Sequence, residues 1–357
     1  MKKAWTARMI RTGAVTLATA MAAGIAYRFY RQSQERAREA VAPAAGIQIL
    51  EDIEIRGTRQ WIRIRGVNRA NPVLLFVHGG PGFPQMPFAA AMRKLEDDFV
   101  VVHWDERGAG KSFRFGVPSD EMRVDEFAAD LHAVVGLVLA RFRRPKLLLV
   151  AHSWGTIFSA IEVSRHPELY SAYVGVGQIA HYPENEKDRY DFALAEALKD
   201  RNDPAVAELR KIGRPPHVDM ASCHVMDKWV SFFSKREFTG VPASEFATLA
   251  FASPDYSWTD LARIPLGFRF SYAALWREVY YEVDLFRQAP RINAPVYFFG
   301  GKFDRIAQVA QVRRYAAALD APAGKEVVVF EHSAHWPFFE EPERFARELR
   351  RIAAAQP

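Results

Sequence analysis

The feature that most constrains the fold is an alternation of short apolar runs with helical stretches, broken once by a long interval of different character. Residues 73–77, 100–104, 147–150, 172–176, 296–299 and 326–330 are short runs rich in Val, Leu and Phe. Runs of this length and β-branching fit strands buried on both faces better than they fit core helices. Stretches with helical spacing lie between several of them, at 89–95, 124–141, 157–165, 308–319 and 342–354. Parallel strands need crossover connections, and helical crossovers cover the faces of a sheet. Ahead of these runs, residues 53–56 and 61–65 alternate apolar and polar around Gly57, which reads as a hairpin with one solvated face. The pattern predicts an α/β protein with a mostly parallel, doubly wound, eight-stranded sheet.

The alternation stops between Val176 and Val296. That interval is helical in character, rich in aromatics such as Trp229, Phe233, Tyr256, Trp276 and Tyr280, and far too long for a loop. It reads as a helical cap over residues 178–290, inserted into a core formed by 47–177 and 291–357. Most of its aromatics are expected to fill the cap's own core.

Residues 1–46 stand apart. Residues 1–40 carry eight of the 48 basic side chains and two of the 42 acidic ones, which accounts for the whole net charge of +6. The remaining body is balanced, so net charge gives no support to nucleic-acid binding. Arg11 and Arg28 bracket an uncharged stretch, 12–27, rich in Ala, Gly and Thr. As a helix it spans about 24 Å, somewhat short of a hydrocarbon core about 30 Å thick. It reads first as a membrane anchor with Tyr27, Phe29 and Tyr30 at the interface and the body on the extracytoplasmic side. A cleaved signal peptide, giving a secreted or periplasmic protein, is the second reading. An Ala-rich helix packed on the body is the third. Residues 31–46 read as a linker. The one cysteine, Cys223, cannot form an internal disulfide.

Three motifs carry chemistry. Ala151-His152-Ser153-Trp154-Gly155 follows an apolar run and opens an apolar helix. A strand that turns sharply into a helix lifts its middle residue clear of the sheet, and the crowding demands small residues two before and two after it. That makes Ser153 the candidate nucleophile. His78-Gly79-Gly80-Pro81-Gly82 follows another run. Acyl transfer needs preorganised N–H donors for a tetrahedral oxyanion, and the backbone N–H groups of Gly80 and Trp154 are the candidates. Asp304 and His335 then follow the strands at 296–299 and 326–330, in the order Ser…Asp…His. Both are expected at the carboxyl edge of the sheet beside Ser153, His335 as the base and Asp304 as the acid that orients it. His332 is a competitor for the base. A His332/His335 metal pair has no third ligand of suitable spacing nearby. His103, His132, His166 and His224 read as structural or surface residues. Gly108-Ala109-Gly110-Lys111-Ser112 resembles the end of a phosphate-binding loop, but position 105 is Asp where that motif needs Gly. Asp105 and Arg107 are expected to brace the loop beneath the site, as an ion pair. No metal or cofactor is implied.

Taken in order, HGGPG (78–82), WDERGAGKS (104–112), HSWG (152–155), GKFD (301–304) and HWPFFEEPERF (335–345) resemble the proline iminopeptidase branch of the α/β-hydrolases. The resemblance covers roughly Asn71 to Phe345. It implies the α/β-hydrolase fold, a triad of Ser153, Asp304 and His335, and oxyanion donors at Gly80 and Trp154. Members with iminopeptidase activity hold the substrate's free amino terminus on cap acids, one of them in a Trp-Glu pair. Here the nearest string is Trp276-Arg277-Glu278, and Glu184 and Glu186 follow the sixth strand. Glu184, Glu186 and Glu278 are therefore the candidate amine anchors. The expected activity is cleavage of a small amide or ester through an acyl-Ser153 intermediate. An aminopeptidase acting on short peptides is favoured over a carboxylesterase, with a non-catalytic ligand-binding protein as the third reading.

Overall fold

The computed structural model describes residues 2–41, 44–217 and 219–355, with the side chains of residues 2–15 and of Ser119 outside that description. The chain runs α1 (Lys2–Arg38), β1 (Ile47–Ile55), β2 (Thr58–Gly66), β3 (Val73–Val77), a 3₁₀ segment (Met86–Asp97), β4 (Val100–Asp105), α2 (Val124–Phe142), β5 (Leu147–His152), α3 (Trp154–Arg165) and β6 (Tyr170–Val176). The inserted helices follow: α4 (Tyr182–Lys199), α5 (Asp203–Ile212), α6 (Met220–Glu237), α7 (Ala243–Ala252), α8 (Trp258–Tyr281) and α9 (Leu285–Gln288). Then come β7 (Val296–Gly301), α10 (Val309–Ala318), β8 (Lys325–Phe330), α11 (Pro337–Glu340) and α12 (Pro342–Ala354).

The eight strands form one sheet in the order β1-β2-β4-β3-β5-β6-β7-β8. β1 pairs with β2, and β2 with β4, antiparallel; every later pairing is parallel. Arg56 and Gly57 both take positive φ, 46° and 80°, which closes the β1–β2 hairpin with a twist that suits it. β3, β4 and β5 are buried along their whole length. One apolar layer, including Val134, Ile157 and Phe158, seals α2 and α3 on one face. A second, including Phe338, Phe345 and Leu349, seals α11 and α12 on the other. The eight-stranded doubly wound sheet expected from the sequence is present. The cap helices carry a small core of their own around Tyr190, Met226, Trp229 and Phe233.

Two expectations need correction. Residues 61–65 were expected to show a solvated face, but Arg63 and Arg65 are 1% and 2% exposed. Strand alternation puts them on one side of β2, and there the end of α1, the 3₁₀ segment and the cap close over them. Glu96 accepts from Arg63 Nη1 at 3.0 Å and from Arg65 Nε at 3.2 Å. Glu39 lies 3.5 Å from each guanidinium, and Asp255 of the cap accepts from Arg63 Nε at 2.7 Å. Charge alternation marked a face that is polar, and burial with paired acids replaced solvent there.

The second correction concerns residues 12–27. Among the described residues no helix is long and apolar enough to cross a membrane. The stretch is rich in Ala, Gly and Thr, which contribute little to membrane transfer beside Leu or Ile. It also does not end at Arg28: α1 continues to Arg38, and this charged half docks on the body. Arg28 donates to the Phe251 carbonyl at 3.0 Å and its guanidinium lies 4.3 Å from the Trp258 ring. Gln32 donates to the Ser253 carbonyl at 2.8 Å, and Glu35 accepts from Arg93 at 2.9 Å. The expected membrane anchor, and the membrane-anchored, extracytoplasmic placement that rested on it, fall together.

Candidate active site

Ser153 occupies the turn between β5 and α3 with φ 52° and ψ −119°, a conformation non-glycine residues rarely take. Its N–H donates to the Val176 carbonyl at 2.8 Å, so the turn is pinned to the end of β6. The crowding that the motif implies is measurable. A Cβ at Gly155 would lie 2.5 Å from the His78 carbonyl oxygen, and one at Gly79 would lie 3.2 Å from Ser153 Cβ. Glycine at 155 lets α3 start against the loop after β3.

Asp304 and His335 meet at the ends of β7 and β8. Asp304 Oδ2 lies 2.8 Å from His335 Nδ1, and its Oδ1 accepts the N–H groups of Ile306 at 2.7 Å and Ala307 at 2.9 Å. Nδ1 is therefore the His335 ring nitrogen that faces the carboxylate. A Cβ at Gly301 would fall 1.9 Å from the Ala334 carbonyl oxygen, so only glycine lets the histidine loop cross β7. Glu340 Oε2 accepts from Ala334 N at 2.8 Å and Trp336 N at 3.3 Å, clamping the two residues around His335. His152, the last residue of β5, donates from Nε2 to the His335 carbonyl at 2.9 Å and packs its ring 4.7 Å from the His335 ring. A Cβ at Gly177 would come 3.1 Å from His335 Cε1 and 3.4 Å from Asp304 Oδ2, so the end of β6 abuts the pair. Ser153, Asp304 and His335 are 6%, 3% and 5% exposed.

Gly80 sits at φ 135°, and a Cβ there would lie 2.6 Å from Gly82 N. Trp154 opens α3, where the first N–H groups have no acceptor within the helix. The two arms share a support that sequence reasoning did not single out. Glu106, 0% exposed, accepts from Gly82 N at 3.2 Å and from Trp154 Nε1 at 3.0 Å. Burial pushes its carboxyl well above the ordinary range. Its place inside WDERGAGKS was the one available signal. The expected Asp105–Arg107 pair is replaced by two others. Arg107 forms a two-pronged contact with Asp130, 2.7 Å on each prong. Asp105 accepts from Lys111 N at 2.9 Å and from the Tyr256 hydroxyl, and burial raises its carboxyl to about 7. Lys111 Nζ reaches Asp260 at 2.8 Å, which ties this loop to α8 rather than to a phosphate.

The cap lies directly on the glycine loops. A Cβ at Gly82 would meet the Gly267 carbonyl of α8 at 2.7 Å, and one at Gly267 would meet the Gly108 carbonyl at 2.5 Å. The three candidate amine anchors are each held by a cation. Glu184 pairs with Lys187 at 2.5 Å, which lowers its carboxyl's pKa. Glu186 pairs with Arg189 in a buried contact, and burial raises its carboxyl. Glu278 accepts from Val124 N at 3.1 Å and lies 3.3 Å from Arg123. His332 is held by its N–H donating to Glu341 at 3.2 Å.

With the geometry in place, the likeness to known proteins is specific. The family profile described as "alpha/beta hydrolase fold" matches residues 72–342. This chain belongs to the α/β-hydrolase family. A Bacillus subtilis (strain 168) protein named "Probable aminopeptidase YbaC" is 33% identical over 311 residues, covering 86% of this chain and 96% of the relative. A "Proline iminopeptidase" of Heyndrickxia coagulans is 24% identical over 306 residues, covering 82% and 94%. The crystal structure of a Mycobacterium smegmatis proline iminopeptidase superposes with a TM-score of 0.62 at 19% identity, covering 86% of this chain and 99% of that one. That α/β-hydrolase likeness extends over both the sheet and the inserted helices.

Proposed function

We propose that this chain is a serine hydrolase that cleaves a small amide or ester through an acyl-Ser153 intermediate, most like a proline iminopeptidase or related aminopeptidase. The observation that carries the reading is the pairing of a serine at φ 52° on a strand–helix turn with a His335–Asp304 couple on the same sheet edge. Ser153 Oγ attacks the substrate carbonyl carbon while His335 Nε2 takes the hydroxyl proton. Asp304 holds the ring by its Nδ1 and stabilises the imidazolium. The carbonyl oxygen becomes an oxyanion held by the N–H groups of Gly80 and Trp154. Collapse expels the amine or alcohol, which leaves with the proton from His335. Water then attacks the acyl-serine with His335 again as base, and the acid product and free Ser153 result.

The aminopeptidase reading rests on the named relatives. The carboxylesterase reading is favoured by one observation: Glu184, Glu186 and Glu278 are each already paired with a basic side chain. An ammonium would have to displace that partner. Assaying a proline amide and a short-chain aryl ester side by side separates the two. Turnover of the amide is expected; brisk ester cleavage with no amide turnover would replace aminopeptidase by esterase. Labelling by a fluorophosphonate probe tests the shared chemistry, and equal labelling of wild type and Ser153→Ala would refute the nucleophile.

A further inference from the structure

Far from the sheet edge, three side chains of metal-ligating type converge where α2 passes the carboxyl end of α3. His132 lies on α2. Glu162 lies in the last turn of α3 and His166 caps it, with His166 N–H bonded to the Glu162 carbonyl at 2.9 Å. The i,i+4 spacing puts these two on one face of the helix. His132 Nδ1 is 2.8 Å from Glu162 Oε1, and the His132 and His166 ring centroids are 4.2 Å apart. One ligand atom from each of the three lies within 4.8 Å of the others. Tetrahedral zinc with bonds of about 2.1 Å sets its ligand atoms about 3.4 Å apart. Small side-chain rotations therefore bring the three into range.

Charge points the same way. The Glu162 side chain is 2% exposed, while those of His132 and His166 are 46% and 40% exposed. The carboxylate forms the floor and the imidazoles form a rim that can swing and admit water as further ligand. The side chains bonded to the Glu162 carboxylate are His132 and Tyr170. Tyr170 donates to the same Oε1 at 3.2 Å, which fixes the carboxylate's orientation as an outer partner would. Glu168 Oε1, 3.7 Å from His166 Nδ1, adds a second acid at the mouth, and the neighbouring Arg165 turns away to Asp125.

We propose that His132, Glu162 and His166 form a binding site for a divalent transition cation of the zinc class, clamping α2 to the carboxyl end of α3. The site lies about 14 to 20 Å along α3 from Ser153 and takes no part in the cleavage. A second trio, Glu186, His217 and Cys223, is also close together but does not qualify, because the Arg189 guanidinium already occupies the Glu186 carboxylate.

The test uses the full chain, freed of any affinity tag and stripped with a chelator. Titration with zinc alone, followed by calorimetry and by melting temperature, is expected to show saturation at one equivalent and a higher melting temperature. His132→Asn and His166→Asn change half-exposed side chains and are expected to melt like wild type without metal, while each weakens zinc binding at least about tenfold. Cobalt in place of zinc is expected to give visible absorption bands in wild type that both variants lose. No saturable binding, binding unchanged in the variants, or loss in only one of them each overturns the three-ligand site.

Discussion

Asp304 on the sheet edge and Glu186 in the cap are both acids with almost no exposure, 3% and 1%, yet they are held differently. Asp304 is aimed by backbone: two N–H groups of its own loop fix one oxygen, and the other meets His335. Glu186 is aimed by another side chain, Arg189, which in turn contacts Asp227 of α6. The same contrast runs through both regions. Glycines 79, 155 and 301 set the sheet edge because a Cβ at any of them would press on a neighbouring loop or side chain. The cap is held by side-chain contacts between separate helices, such as Trp229 of α6 donating to Glu208 of α5 at 2.9 Å. Backbone-aimed groups are preorganised for chemistry; groups aimed by side-chain partners can exchange those partners.

Four experiments bear on this contrast. The largest effect is expected at the proposed nucleophile: Ser153→Ala should lower kcat by about 10⁴-fold or more, measured on whichever substrate the panel identifies, with the melting temperature little changed. In the cap, Glu186→Gln should cost about 3 kcal/mol in urea unfolding, because Arg189 is left buried with one fewer acid. Glu184→Gln, at a half-exposed pair, should cost under about 1 kcal/mol. If the two cap variants lose equal stability, burial is not what separates them. Next, Glu106→Leu removes the acceptor shared by Gly82 and Trp154 and should lower kcat by about 10- to 100-fold with KM nearly constant. Glu106→Gln, which keeps an acceptor, should recover most of it. A KM effect in place of a kcat effect would place Glu106 in substrate binding.

The smallest effect is in pH dependence. Burial lowers His78 from 6.5 to about 4. Its contribution to stability is complete above the unfolded value and is lost as pH falls from about 6.5 towards 4, where the unfolded chain binds the proton first. Between pH 7 and pH 5 wild type should lose about 2 kcal/mol more than His78→Gln. Equal losses would mean that His78 is charged in the fold.

The sequence revealed most where structure is local. The strand–serine–helix turn at 151–155, the glycines after 77, and the strand-end positions of Asp304 and His335 are each read within short windows. The sheet followed because buried parallel strands have a composition of their own. The N-terminal helix was misjudged because its decisive contacts, Arg28 to Phe251 and Gln32 to Ser253, join residues more than 220 apart. Arg63 and Arg65 were misjudged for the same reason: alternation identifies a polar face but not what covers it. Glu106 was overlooked beside Asp105 and Arg107, whose charges suggested a pair that the fold spends on Tyr256 and Asp130 instead.

The docking of α1 has a practical consequence. A chain begun at residue 47 would keep every motif residue and look like a cleaner catalytic unit. It would also discard Glu35 and Glu39, and with them the acids that face Arg93, Arg63 and Arg65 from above. Glu96 would remain for both Arg63 and Arg65 and Asp255 for Arg63, but the helix end that helps to close over the two guanidinium groups would be gone. In electrostatic terms the end of the first helix is a tethered counter-ion of the sheet, and a chain begun at residue 47 is expected to unfold more easily than one begun inside α1.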